Sequence, residues 1–162
     1  MATTKPLTDS PEERAEALAA YDRFLEEANA EPIKFLKHDN RAHSDDGLYR
    51  LVDKHGMAWY GWYWLLAELL AARKGHAYDV SDAAGWGLLT RDMNCLSDLT
   101  EDECREFIAE LYAFNLISRE QLDEKSQVVI TRIRKDANTY AEDVAGKRLG
   151  AWKTNRRRML GQ

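Results

Sequence analysis

Twenty residues, Gly56 to Gly75 (GMAWYGWYWLLAELLAARKG), hold three of the chain's five Trp and two of its seven Tyr, and they limit what this chain can become. Uninterrupted by Pro, the stretch predicts one helix. At ~100° per residue, Trp59, Tyr63, Leu66 and Leu70 share a face, Tyr60 and Trp64 flank it on one side, and Trp62 and Leu69 on the other. Only Gly61, Glu68 and Ala72 offer a lean edge. A helix apolar nearly all round belongs in a protein core when it is too short and too interrupted to span a bilayer. With Leu interleaved, its aromatic residues are expected in that core rather than around a flat cofactor.

Composition sets the rest of the frame. The chain has 162 residues, 44% hydrophobic and 31% charged, with three Pro and nine Gly, as in a helix-rich globular domain with extensions. Its start, MATTKPLTDSPEE, lacks a basic segment followed by an apolar run. A cytoplasmic location without membrane insertion is therefore expected. Cys95 and Cys104 form neither a C-x-x-C pair nor a zinc set, and Cys104 falls on the apolar face of its helix. There is no G-x-S-x-G, no Cys with a matched His and no glycine-rich phosphate loop, so a non-enzymatic role without cofactor or metal is expected.

Helix starts are well marked. Ser10-Pro11-Glu12-Glu13 combines a capping Ser, Pro at the first helical position and Glu three residues after the cap. Leu18, Tyr21, Leu25 and Ala28 follow at helical spacing to about Asn29, a stripe that could dock on the main domain or on a second copy of the chain. Beyond Pro32, Ile33 to Lys37 reads as a short extended segment before a polar run. Asp45 opens a helix that Gly56 ends. His76 to Val80 alternates as a short strand, Ser81 to about Arg91 is a helix weakened by Gly85 and Gly87, and Thr100-Glu101-Asp102-Glu103 is a capping box opening a helix to Phe114. The β-branched runs Leu116 to Ser118 and Val128 to Ile133 can pair as a hairpin across the polar stretch Arg119 to Gln127. A last helix is expected from Arg134 to about Val144, interrupted at Gly146 and Gly150.

Helix, short strand, helix, helix, strand, loop, strand is the element order of a winged helix. The expected fold is mainly α with a small β-hairpin: a helical extension over residues 1–30, a winged helix over 31–133, and a basic C-terminal helix and tail over 134–162. On the same residues the stretch from Phe35 to about Arg132 resembles the winged-helix domain of phage and prophage replication-module proteins, related to the N-terminal part of DnaD-like replication initiators. The resemblance rests on Phe35, His38-Asp39, Arg41-Ala42, Asp45, Lys54-His55-Gly56, Tyr60-Gly61, Tyr63-Trp64 and Glu68-Leu69-Leu70. It covers a little over half the chain and implies a fold more than an activity. The helix at residues 10–29 is not part of that pattern, and the long C-terminal region such proteins carry is nearly absent.

Charge is divided unevenly. From Lys125 onward there are ten Lys and Arg against three Asp and Glu, whereas residues 1–124 hold 13 against 25. Lys147, Arg148, Lys153, Arg156, Arg157 and Arg158 could neutralise phosphates, and Trp152 among them could stack on a base, so the tail is the nucleic-acid candidate. The alternative is a basic helix folded back on acidic residues. The helix after Thr100 presents Asp102, Glu103, Glu106 and Glu110 outward, which repels a phosphate wall. That face suits a solvated surface or a basic protein partner, such as a host nucleic-acid enzyme bound by a phage counter-defence factor. His38, Asp39, His43, Asp45, Asp46 and His55 match no named metal-ligand spacing. Capping and loop-pinning roles are expected of them.

Overall fold

Reciprocal caps fix where the helices begin. In the computed structural model, which describes residues 10–33, 42–96 and 98–159, the Ser10 N–H donates to Glu13 Oε2 at 2.7 Å and the Glu13 N–H donates to Ser10 Oγ at 3.2 Å, opening α1 (Pro11–Ala30). Asp45 caps α2 (Asp46–His55) by accepting from the Leu48 N–H at 3.0 Å. Gly56, at φ 86°, donates its N–H to the Val52 carbonyl and at once begins α3 (Met57–Ala72), the left-handed conformation that a glycine adopts without strain. Asp82 caps α4 (Ala83–Met93), and Thr100 with Glu103 forms the full box that opens α5 (Glu101–Ala113). Then come α6 (Arg119–Lys125) and α7 (Thr131–Met159).

The chain divides into two compact units: residues 30–138, and residues 1–29 together with 139–162. In the first, the core is built on the second half of α3, where Tyr63, Leu65, Leu66, Ala67, Leu70 and Ala71 are buried. Leu48 and Leu51 of α2, Leu89 and Met93 of α4, and Phe107, Ile108 and Leu111 of α5 complete it. Cys104 is fully buried, and burial pushes its thiol above the ordinary range. The first half of α3 departs from the expectation of a helix buried all round: Met57, Ala58 and Gly61 are exposed, and Trp59, Trp62 and Trp64 are only half-buried. Trp59 and Trp62 meet Phe107 edge-on, at 5.5 and 5.8 Å between ring centroids.

A two-stranded antiparallel sheet ties distant segments together. β1 (Tyr78–Asp79) pairs with β2 (Gln127–Val128), Tyr78 opposite Val128. Farther along, Ile117 bridges Ile130, and the Ser118 N–H donates to the Val129 carbonyl at 2.8 Å. The two β-branched runs thus meet, but the expected simple hairpin is corrected in two respects. Its intervening polar stretch is α6, capped by Ser118 and closed by Ser126 in the left-handed conformation, with Gln121 buried and Leu122 against the core. Thr131 to Ile133, read as strand, is already the first turn of α7. The second run ends as strand because its next carbonyl, that of Ile130, accepts a helical bond from Arg134.

Tyr78 is pinned where β1 meets α4. Its hydroxyl donates to Asp92 at 2.9 Å, and the Arg73 guanidinium lies 4.0 Å over its ring and 3.3 Å from the same carboxylate. Burial, with Asp92 beside it, pushes the Tyr78 phenol up to about 12. Ile33 is buried, and its N–H donates to the Ala71 carbonyl. The remainder of the extended segment expected from Ile33 to Lys37 lies outside the described residues, as do Phe35, His38, Asp39 and Arg41 of the family resemblance.

The other unit holds α1 and the later turns of α7. Its buried side chains are small: Ala20, Ala28, Ala141 and Ala145. Leu18 is 62% exposed, which corrects the expected Leu18, Tyr21, Leu25 and Ala28 stripe; Tyr21 and Leu25 are half-buried, and Leu18 lies off the seam through Ala20 and Ala28. Helix α7 also runs through Gly146 and Gly150 rather than stopping near Val144. Each helical glycine costs only about 1 kcal/mol relative to Ala. The surrounding Ala, Lys and Arg residues and the Lys147 to Asp143 pair one turn apart offset that.

Gly85 and Gly87 of α4 separate two roles of glycine. A Cβ at Gly85 would fall on the Asp79 carbonyl oxygen of β1, whereas one at Gly87 would meet nothing. Gly85→Ala should destabilise the protein by about 1–3 kcal/mol and Gly87→Ala should stabilise it by about 0.5–1 kcal/mol, as read from paired urea denaturation curves.

Candidate functional site

Two charged surfaces emerge, and the fold treats them differently. On α7, Arg148 Nη1 lies 3.3 Å from Glu27 Oε2 and Arg156 pairs with Glu16. Because the later residue of α7 meets the earlier residue of α1, the two helices run antiparallel. Glu13 is held below the usual carboxylate range, first by the Ser10 N–H and also by the charges of Arg156 and Arg157. Lys147 is occupied by Asp143, and the Arg156 guanidinium sits 5.3 Å from the centre of the Trp152 ring, which is half-buried. Lys153 and Arg158 make no ion pair with any described residue.

Each of these exposed pairs contributes only about 0.2–1 kcal/mol, so pairing alone would not prevent a phosphate from competing. Residues 1–29 and 139–162 together carry nine Lys and Arg and nine Asp and Glu. The net charge of that unit is therefore zero, with Arg156, Arg157 and Arg158 consecutive in the last turn of α7. Of Lys147, Arg148, Trp152, Lys153, Arg156, Arg157 and Arg158, expected as the nucleic-acid candidate, Arg148 and Arg156 pair with acidic residues of α1 and Lys147 pairs with Asp143 within α7.

Residues 30–138 hold nineteen Asp and Glu against fourteen Lys and Arg. On α5, Asp102 and Glu106 are exposed and make no ion pair with a described residue. Glu103 is exposed but engaged in its cap with Thr100. Glu101 pairs with Arg105 at 2.7 Å, and the Arg105 guanidinium lies 4.2 Å over the Trp86 ring. Glu110 corrects the expected four-residue face. It turns toward α2, only 19% exposed, with Lys54 Nζ at 2.6 Å and His55 Nε2 at 3.2 Å. The His55 ring stacks on Trp59 at 3.7 Å, so the α2–α5 seam is closed by a charged cluster with an aromatic backing.

Asp45 and Asp46, considered for a metal, serve α2: the first caps it and the second pairs with Arg50 at 3.0 Å. His38, Asp39 and the side chain of His43 lie outside the described residues. Among the described residues no group of three or more His, Cys, Asp or Glu could hold a metal ion. No helix there is long and apolar enough to cross a membrane.

Two concavities in residues 30–138 were not foreseen. One, of about 260 Å³, lies between α2 and α3 and is lined by Leu48, Tyr49, Val52, Met57 and Tyr60. The other, of about 470 Å³, gathers Asp45, Tyr63, Arg132, Lys135 and Asp136 with polar neighbours. Burial pushes the Tyr63 phenol up to about 12, so it stays a neutral donor. Both join residues distant in sequence, which periodicity does not reveal.

Comparison with known protein families, curated proteins and solved structures found no match.

Lys54, followed by the His55 contact, holds the Glu110 carboxyl below its usual range although burial pushes it up. A carboxyl lowered by folding stabilises the folded state above its unfolded value, and that contribution is lost as pH falls through the lowered value. Glu110→Gln should therefore reduce stability at neutral pH by up to about 1 kcal/mol. The difference from the parent should close as pH drops below about 4.3, measured by thermal melts across an acid series.

Proposed function

We propose that the protein is a non-enzymatic interaction protein whose acidic residues 30–138 bind a basic protein partner. One observation carries this reading: Arg148 and Arg156 of the tail pair with α1, while Asp102 and Glu106 on α5 are exposed and make no ion pair with a described residue. Unpaired carboxylates on a firmly packed helix give a fixed negative surface that complements Lys and Arg and disfavours phosphate. The finer fold reading supports it. β1, α4, α5, the Ile117 bridge and β2 follow one another in the order that a winged helix would give its strand, helices and wing strands, with α6 between the last two. In that reading α5 occupies the place of the groove-reading helix yet carries acidic residues, a surface suited to a protein that itself handles nucleic acid.

The resemblance to phage and prophage replication-module proteins sets the context: a cytoplasmic accessory factor acting on a host or phage nucleic-acid enzyme. A second reading, direct contact of the tail with nucleic acid, draws on Lys153 and Arg158, which lie outside the ion pairs.

Fluorescence anisotropy at low salt separates the two. A Lys- and Arg-rich peptide should bind, and the double change Asp102→Lys with Glu106→Lys should weaken it by about tenfold or more. Single- and double-stranded oligonucleotides should bind poorly. Tight oligonucleotide binding, lost on changing Lys153 and Arg158 to Ala, would instead establish the tail as the functional surface.

A further inference from the structure

The surface where α2 meets α3 combines three properties. First, it concentrates exposed apolar side chains. Of the five large hydrophobic residues most open to solvent, two, Tyr49 at 64% and Met57 at 68%, line the same 260 Å³ groove. Scattered exposed apolar residues need no explanation, but a pair framing a concavity floored by Leu48 and Val52 does. Met adds an adaptable wall, as in grooves that accept helices.

Second, the adjoining stripe of α3 is cut down to backbone. Ala58 and Gly61 are exposed between Met57 and Trp64, and a Cβ at Gly61 would touch nothing. No packing among the described residues requires glycine there, and in a helix it costs about 1 kcal/mol. Beside an apolar groove, that small stripe lets another backbone come close.

Third, on α2 and α3 themselves the charge left outside ion pairs with described residues is acidic. Arg50 is paired with Asp46 and Lys54 with Glu110, whereas Asp53 and Glu68 are exposed and make no ion pair with a described residue.

We propose that the α2/α3 groove docks an amphipathic helix of a partner protein, an apolar anchor entering between Tyr49 and Met57 and basic flanks meeting Asp53 and Glu68. This rests on the reading of residues 30–138 as a protein-binding unit and specifies the partner as helical and apolar-faced, beyond being basic. The helix axis crosses over Gly61, where a side chain would hold it off.

Three synthetic peptides of about 18 residues test it by calorimetry: Leu/Lys and Leu/Glu amphipathic helices of one pattern, and a Ser/Lys peptide of equal charge. The Leu/Lys peptide should bind best, and Leu/Glu about tenfold more weakly or worse. Gly61→Leu and Met57→Glu should each weaken the Leu/Lys peptide by about tenfold while leaving the melting temperature unchanged or raised. If both variants bind it as the parent does, the groove proposal is overturned; Ser/Lys binding that is lost on charge reversal of Asp102 and Glu106 would leave the acidic-surface reading standing. If neither Lys peptide binds the parent, both readings fall. A concentration-dependent dimer in sedimentation, abolished by Gly61→Leu, would show the groove covered by a second copy and would also overturn the proposal.

Discussion

Residues 30–138 depend on burial of the second half of α3. Tyr63, Leu66, Ala67, Leu70 and Ala71 form a continuous apolar surface, and α2, α4 and α5 each contribute the residues that cover it. Fully burying a Leu side chain contributes about 1.5–3 kcal/mol, so this one helix supplies a large share of the driving force. The small sheet rests on the same core through Tyr78 and Val128, both almost fully buried. With its second half committed inward, α3 leaves its first turns at the surface. The residues there, Met57, Ala58 and Gly61, are free to serve something other than folding.

Electrostatics divides the molecule along different lines. In the unit of α1 and the later part of α7, opposite charges are arranged face to face and the sum is neutral. In residues 30–138 the acidic excess is left outstanding. Single exposed ion pairs contribute too little to hold two helices together, so the pairs at Glu16 and Glu27 act chiefly on register and direction.

Much of the local structure was legible in the sequence because it is set by groups three or four residues apart. The boxes at Ser10 and Thr100, the Asp45 cap and the glycine at position 56 all stand where their residue types placed them. Helix α6 carried the same kind of signal, Ser118 followed three residues later by Gln121, but its single apolar residue, Leu122, left no periodicity beside a β-branched run. The candidate site was less legible. Glu110 lies on the same helical spacing as Glu103 and Glu106, and nothing within α5 indicates that Lys54 and His55 would cover it.

The sequence by itself determined the starts of α1, α2, α4 and α5, the apolar face of α5, and the opposite charges of the two ends, since each follows from neighbours along the chain. Only the tertiary structure decided which charges meet. Arg148 meets Glu27 across 121 residues of sequence, and the groove between Tyr49 and Met57 exists only because Gly56 turns α3 against α2. Charge and hydrophobicity belong to residues, whereas whether they are matched or left open depends on which surfaces the fold brings together.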